Sequence, residues 1–472
     1  MAIILGGRFV NIYLPHICEI DNLAFDGSCT LSDNPSQWTE YAHDLFLTNR
    51  KKDETMLRKP IRVLMVNWIY PPEFSGAGLQ CHRLAKKLQT HRIQVSVLTS
   101  TDQPDRVGTE IFDGIPVIRV LRNKTNKVRH FYYGWKLFNY IMKHQGEFDL
   151  IHLHGFISPA ALATKLLNLP LIIKVTGMNV DDPDTVSKRT SNQWLMSLYR
   201  SAHVVIAPST ELQDRCHHHL SAEQQILRIP NGVDTRVYAP ASDQERTRLR
   251  ETLNWPQQKT IILTVGTVWY LKGIDMLLKA VYRLNQSIRK NVFIAVVGPH
   301  LQDRLDSAPE SAMLQYNRQI RDMIETFGLQ DQIRFEGVKS NLQSYFRACD
   351  AYVHPSRSEG QPNALLEAMS CGVASIANNL PGITDEIMQD GQNGFSLDGE
   401  DVQTFSSALS MLLNNTLMRN RLGQNARLEV LKKYDLDEIV RLYVELYRNL
   451  LSNAAAHDLP IWNSGLSKTL KP

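Results

Sequence analysis

The chain has 472 residues, of which 43 % are apolar and 21 % charged, and its formal net charge is +4. That length exceeds one ordinary domain, and the composition excludes a disordered or fibrous chain. The charge is too small to imply a nucleic-acid partner, and none is expected. The cysteines Cys18, Cys29, Cys81, Cys216, Cys349 and Cys371 form no C-x-x-C pair and show no disulfide rhythm, which fits a reducing compartment. No apolar run is long enough to span a membrane. The short apolar opening Met1–Leu5 lacks the basic flank and long apolar stretch of a secretory signal. The expected location is cytoplasmic, with room for a peripheral position on the inner face of a membrane.

Residues 1–60 carry turn-formers such as Asp26-Gly27-Ser28 and a charged linker at Asn49–Glu54, and read as an extension with no assigned role; Met56 is an alternative start. From Ile61 onward, strands alternate with helices. Ile61–Asn67 is a buried parallel strand by its continuous apolar, β-branched run. A Pro/Gly-rich turn, Pro71–Gly78, leads into an amphipathic helix with Leu79, Leu84, Ala85 and Leu88 inward and Arg83, Lys86 and Lys87 outward. Further strands are expected at 94–99, 116–120, 150–154, 171–175 and 203–207. The turn chemistry of Pro230-Asn231-Gly232-Val233-Asp234 marks a linker. A second series then opens with a strand at 260–265 and a loop at 266–273, followed by strands at 292–297, 333–335, 350–354 and 373–377. The pattern implies α/β architecture with two doubly wound domains. The expected division is an extension (1–60), a first domain (61–235), a second domain (236–432), a C-terminal helix (433–452) and a tail (453–472).

The segment Ser358-Glu-Gly-Gln-Pro-Asn-Ala-Leu-Leu-Glu-Ala-Met369 holds the chemistry. Glu359 falls in a loop after a strand, and Glu367 falls inside a helix that Pro362 and Asn363 open. Carboxylates accept paired hydrogen bonds from vicinal hydroxyls, and the helix N-terminus between them suits a phosphate. Sugar, diphosphate and ribose would thus be read within one short stretch.

This segment resembles the E-x7-E signature of the family-4 retaining glycosyltransferases. The resemblance extends, in order, to the Pro-Pro, Gly-rich loop of 67–78, the His-x-His strand end of 150–155 and the I-P-N-G-V-D hinge of 229–238. It continues through the Lys-Gly loop of 265–273 and the stretches 350–358 and 390–395, so it covers roughly residues 61–450. It implies the GT-B fold, two Rossmann-like doubly wound domains facing across a cleft with the helix of 433–452 crossing back to the first, and sugar transfer from a nucleotide-diphosphate sugar. Uridine, guanosine and adenosine diphosphate donors all occur in the family, and the Glu-Gly-x-Pro-Asn form favours a UDP-hexose or a UDP-N-acetylhexosamine. The implied acceptor is a carbohydrate or lipid-linked hydroxyl in polysaccharide or glycolipid biosynthesis, and the anomeric configuration is retained. By the same resemblance Glu359 binds the donor sugar with backbone N–H groups near Gly360, Gln361 and Asn363, and Glu367 binds the ribose. Lys272 neutralises the diphosphate beside Gly266, Gly76 allows close approach to the phosphate, and His154 sits near the reacting carbon. No cofactor and no essential metal is expected, because no Asp-x-Asp motif ends a suitable strand.

The sequence departs from the family at Thr267, where an Arg is usual, and at Thr176-Gly177, where a His-Gly pair is usual. His152 and His154 are expected on opposite faces of their strand, one of them a core histidine. Cys216-His217-His218-His219 reads as a polar surface run rather than a metal cluster, and the partial glycine fingerprint at Gly76–Cys81 is too incomplete for a dinucleotide site. The stretch Arg119–Lys136 interleaves six cations with four aromatics and is expected to touch an anionic membrane surface or a lipid-linked acceptor, the alternative being a solvated loop with its aromatics tucked under. Two rival readings are a nucleotide-sugar epimerase of the same fold, which needs no acceptor, and a catalytically silent nucleotide-sugar-binding protein.

Overall fold

The computed structural model describes residues 2–5, 8–11, 59–122, 127–189, 193–300 and 310–452, the side chains of 2–5, 8–11, 127–131, 189, 310 and 311 excepted. The Asn49–Glu54 linker, Lys124, Lys127, Arg129 and Phe131 of the basic segment, and the tail 453–472 fall outside these. The chain divides into two compact units, Met1–Lys59 and Pro60–Pro472. In the first, β1 (Ala2–Leu5) and β2 (Arg8–Asn11) pair antiparallel, with Ile3 opposite Val10.

The second unit contains two sheets. The first is built from β3 (Ile61–Ile69), β4 (Ile93–Thr101), β5 (Gly108–Phe112), β6 (Ile115–Leu121), β7 (Leu150–His154), β8 (Leu171–Lys174), β9 (Val204–Ala207) and β10 (Gln225–Arg228), in the order β10-β9-β8-β7-β3-β4-β6-β5. All its pairings are parallel except β5 with β6. The second is built from β11 (Thr260–Val265), β12 (Val292–Val297), β13 (Ile333–Gly337), β14 (Ala351–His354), β15 (Ala374–Asn378) and β16 (Phe395–Leu397). Its order is β13-β12-β11-β14-β15-β16, and it is parallel throughout. Helices cover both faces of each sheet, which is why the central strands read as unbroken apolar runs. Four apolar clusters result, two on the faces of each sheet. The expected α/β class with two doubly wound sheets is what the chain adopts.

Three helices position the site. Helix α1 (Gly76–Gln89) follows β3, with Ser75 capping it by accepting from the Gly78 N–H at 3.2 Å. A Cβ on Gly78 would lie 2.1 Å from the Ile69 carbonyl oxygen, so the tight β3–α1 connection requires glycine there. Helix α2 (Asn363–Ser370) follows β14. Helix α3 (Leu436–Leu451) lays Leu436, Ile439, Val440, Tyr443 and Tyr447 against Val63, Met65 and Ile172 of the first sheet, although it follows the second sheet in the chain.

Arg83 and Lys87 of α1 are not outward as their helical spacing suggested. Both turn toward carboxylates from other parts of the unit: Arg83 toward Glu367, and Lys87 toward Asp234 and Asp437. Lys86 does face out. Arg119 is likewise no surface cation. It is 1 % exposed, pairs with Glu110 at 2.6 Å, and donates to the Tyr70 and Pro71 carbonyls. Arg122 pairs with Asp102. Among the described side chains of the basic–aromatic segment, Tyr132 and Trp135 are exposed, Lys136 is half-buried over the Tyr132 ring, and Tyr133 is buried.

Candidate active site

The strand-to-helix turns of the two sheets bring their helices together end to end. A Cβ on Gly76, the first residue of α1, would lie 4.0 Å from Nδ2 of Asn363, the first residue of α2. Two positive helix termini thus meet at one place, and the α2 N-terminus has no side-chain cap. Its free N–H groups suit a phosphate.

Beside that junction stands Glu359. Its carboxylate accepts from Lys272 Nζ at 2.5 Å and lies 3.1 Å from His354 Nε2. The imidazole is poorly aligned for a hydrogen bond; its other nitrogen, Nδ1, is 3.0 Å from the Tyr352 hydroxyl. Burial alone would raise the Glu359 carboxyl, but the Lys272 ammonium and His354 outweigh it and hold the group well below the usual carboxylate range. Glu359 is therefore an ionised acceptor in a dry place. The aliphatic stem of Lys272 lies over Gly266, where a Cβ would come within 3.3 Å of Cδ. A side chain at Gly266 would push the ammonium away.

Glu367, on α2, is 2 % exposed. Its Oε1 accepts from Arg83 Nη1 at 2.6 Å, and Arg83 Nη2 donates to the Tyr238 hydroxyl at 2.7 Å. Gln361 and Asn363 are both engaged with the hinge: Gln361 Oε1 accepts from the Asn231 N–H at 2.5 Å, and Asn363 Oδ1 from Asn231 Nδ2 at 2.9 Å. Gly360 packs on the opposing loop, where a Cβ would come within 2.8 Å of Gly177 Cα and the Thr176 carbonyl oxygen. That loop is fastened by Asp181, which accepts from the Thr176 and Gly177 N–H groups and the Thr176 hydroxyl.

His154 ends β7 with 3 % exposure. Two residues is a full strand period, so His152 and His154 share one face, contrary to the expectation above; their ring centroids are 4.3 Å apart. His152 Nδ1 lies 2.7 Å from the Tyr447 hydroxyl and is the core histidine. Burial first, then His152 and Lys174, push the His154 imidazole well below its ordinary value, so it is neutral at pH 7.

The structure thus brings Gly76 to Asn363 at the helix junction, and pairs Glu359, four residues before Asn363, with Lys272, whose stem lies over Gly266. Sequence reasoning missed Arg83, Lys174 and His354. Arg83 looked like a solvated helix face, and only its mismatch with a helix packed on a second sheet could have exposed it. Lys174, in an otherwise apolar strand, was the more visible signal. In the run Cys216–His219, Cys216 is buried, His217 and His218 are exposed, and His219 lies 3.1 Å from Asp184; the four diverge as expected of a surface run.

Comparisons with known proteins bear on this arrangement. The model of the family "Glycosyl transferases group 1" matches residues 245–429, and that of "Glycosyltransferase Family 4" matches residues 74–237. A D-inositol 3-phosphate glycosyltransferase of Corynebacterium glutamicum is 27 % identical over 302 residues, covering 61 % of this chain and 70 % of its own. One of the same name from Thermobifida fusca is 25 % identical over 375 residues, covering 74 % and 82 %. Among solved structures, sucrose-phosphate synthase from Thermosynechococcus elongatus aligns with a TM-score of 0.69 at 19 % identity, covering 83 % of this chain and 99 % of its own. Anabaena HepE in complex with UDP-glucose aligns at 0.66 and 20 %, covering 82 % and 100 %. The two matched segments take in the second sheet, all of the first but β3, and the residues at the helix junction, and the chain belongs to the family-4, group 1 glycosyltransferases, enzymes of the GT-B fold.

Proposed function

We propose that this glycosyltransferase moves a hexose or N-acetylhexosamine from its UDP conjugate to a hydroxyl of a carbohydrate or lipid-linked acceptor, with retention of configuration, in polysaccharide or glycolipid synthesis. The observation that carries the reading is the meeting of two helix N-termini at Gly76 and Asn363, flanked by Glu359 and Glu367. A diphosphate at the junction would place the sugar against Glu359 and the ribose against the second oxygen of Glu367. The likeness to a protein crystallised with UDP-glucose supports uridine as the base.

In this reading the anomeric carbon–oxygen bond breaks with its electron pair leaving on the diphosphate. The acceptor oxygen bonds to the same face of that carbon, and its proton passes to the departing phosphate oxygen. Lys272 and the helix termini stabilise the growing negative charge, and do so best in the transition state. His154, neutral, serves as hydrogen-bond partner on the acceptor side. With this cationic set, no metal is needed: turnover should survive chelator.

Titrating UDP, GDP, ADP and their sugar conjugates into wild type and Glu367→Ala, with melting temperature as readout, tests the donor site. A UDP-selective rise lost in Glu367→Ala is expected; equal rises in both proteins would remove Glu367 from the site. Loss of donor sugar without any acceptor would favour the epimerase, and proton NMR of the product gives its anomeric configuration.

We also propose that the enzyme works at an anionic membrane surface. No helix among the described residues is long and apolar enough to cross a membrane. Tyr132 and Trp135 are 54 % and 51 % exposed on one helix, and Lys136 lies over the Tyr132 ring. Aromatic side chains with a neighbouring cation suit the headgroup layer. In sedimentation with anionic vesicles, Trp135→Asp should bind several-fold more weakly than wild type; equal binding would end the idea.

A further inference from the structure

Apart from the donor junction, the first sheet carries a polar row of which the reaction described above uses only His154. Asn67 of β3 is in register with His154 of β7, and His154 with Lys174 of β8. Registered residues on neighbouring strands stand side by side on one face, about 4.8 Å apart. The row lies at the carboxyl ends of three central parallel strands, where open α/β sheets take their ligands. Tyr443 of α3 stands over it, its ring 5.4 Å from Lys174 Nζ and 5.6 Å from the His152 ring.

What distinguishes the row is that each of its open valences is able to donate. Lys174 is 6 % exposed and forms no ion pair among the described residues. Asn67 spends its oxygen on the Ile69 N–H, at 3.0 Å, and its Nδ2 is buried without a partner. His154 Nε2 and the Tyr443 hydroxyl are also buried without partners. Buried polar groups are normally satisfied, and a buried cation is normally paired. A water could bridge the neutral groups, but it would leave the ammonium uncompensated. Burial alone draws the Lys174 amine down to about 7, and a nearby anion would restore its charge.

We infer that Asn67, His154 and Lys174, with Tyr443 above them, form a second anion site that takes a phosphate group carried by the acceptor. The word acceptor rests on the glycosyl-transfer reading; the anion site does not. Position links the two. The Gly155 N–H donates to the Lys174 carbonyl at 2.9 Å, and two residues beyond Lys174 begins the Thr176-Gly177 loop that packs on Gly360, next to Glu359. A phosphate held on Lys174 would anchor an acceptor whose hydroxyl reaches toward the donor sugar.

The test is calorimetric titration of the full chain, with UDP saturating so that the donor junction is filled. The probes are inorganic phosphate, glucose 6-phosphate and, as the neutral control, glucose. Sedimentation with phosphatidic acid vesicles is a separate arm. Wild type should bind both phosphates and not glucose. Lys174→Met should bind them at least tenfold more weakly, Lys174→Arg should keep most of the affinity, and Asn67→Asp should weaken it by charge repulsion. UDP affinity should stay the same in all of them, which also reports that each is folded. Preference for phosphatidic acid over glucose 6-phosphate would identify a lipid headgroup as the source of the phosphate, and the reverse a soluble sugar phosphate. Equal phosphate affinity in wild type and Lys174→Met, or none in wild type, would overturn the inference. Failure of UDP to bind wild type would overturn the donor reading instead, and the phosphate titration would then be read without it.

Discussion

At the scale of single residues, the pair that most constrains the site is Lys272–Glu359. The Glu359 side chain is 11 % exposed and accepts from Lys272 at 2.5 Å. Removing one partner of a buried ion pair leaves the other uncompensated, at a cost of about 3–5 kcal/mol, whereas removing both costs far less. Lys272→Met should therefore unfold well below wild type, and Lys272→Met/Glu359→Gln should recover most of the loss while staying inactive. The pH dependence follows the same charge. In wild type the Glu359 carboxyl is held below its ordinary value, so its contribution is full above that value and is lost as pH falls. In Lys272→Met burial dominates and raises the carboxyl. Its contribution is then full at low pH and is lost as pH rises through the new value. Melting temperatures across pH 3–8 (roughly the span over which perturbed carboxylates titrate) should thus show the single mutant closing on wild type toward acid. A constant gap at all pH values would mean that Glu359 is not held charged by Lys272.

At the scale of elements, much of this was legible beforehand. Strands buried on both faces announce themselves as apolar runs: β7, β11 and β12 occupy the residues that the pattern predicts, and β3 begins where expected at Ile61. In the second unit the strands that escaped are β5, β10 and β16, all at sheet edges, where one side has no neighbour and three to five residues leave little pattern. The helix opened by Pro362 and Asn363 was also readable, because its start signals are local. What could not be read was contact between elements distant in the chain. Helical spacing shows which face of α1 is apolar, but not that Arg83 meets a carboxylate 284 positions away. Arg119 looked like a surface cation because sequence cannot show that Glu110 and two carbonyls await it inside the fold. His154 was identified from its motif. Its use with Lys174 depends on strand register, which only the folded sheet supplies.

At the scale of the whole second unit, the chain passes between the two sheets twice, and the passages run side by side. The Val233 N–H donates to the Tyr434 carbonyl at 2.8 Å, and the Leu436 N–H donates to the Val233 carbonyl at 2.9 Å. A Cβ on Gly232 would come within 2.8 Å of Leu436 Cα, so the passages are pressed together. Such a hinge lets the halves move as bodies, and the contacts across the cleft set how closed they are. Arg83 makes one of these contacts beside the proposed donor site, since it ties Glu367 of one half to a helix of the other. One Glu367 oxygen is taken by Arg83, which leaves the second for the ribose hydroxyl of the proposed donor, so the ion pair would orient the carboxylate as well as hold the halves. Arg83→Met should then raise the donor KM by about tenfold, or ~1.4 kcal/mol of binding, with kcat changed less than twofold. Small-angle scattering of the unliganded mutant should show a larger radius of gyration, which UDP brings back toward the wild-type value. Tighter donor binding in the mutant would reverse the assignment: the ion pair would be a lock that the ribose must break, and closure would have to come from the donor itself.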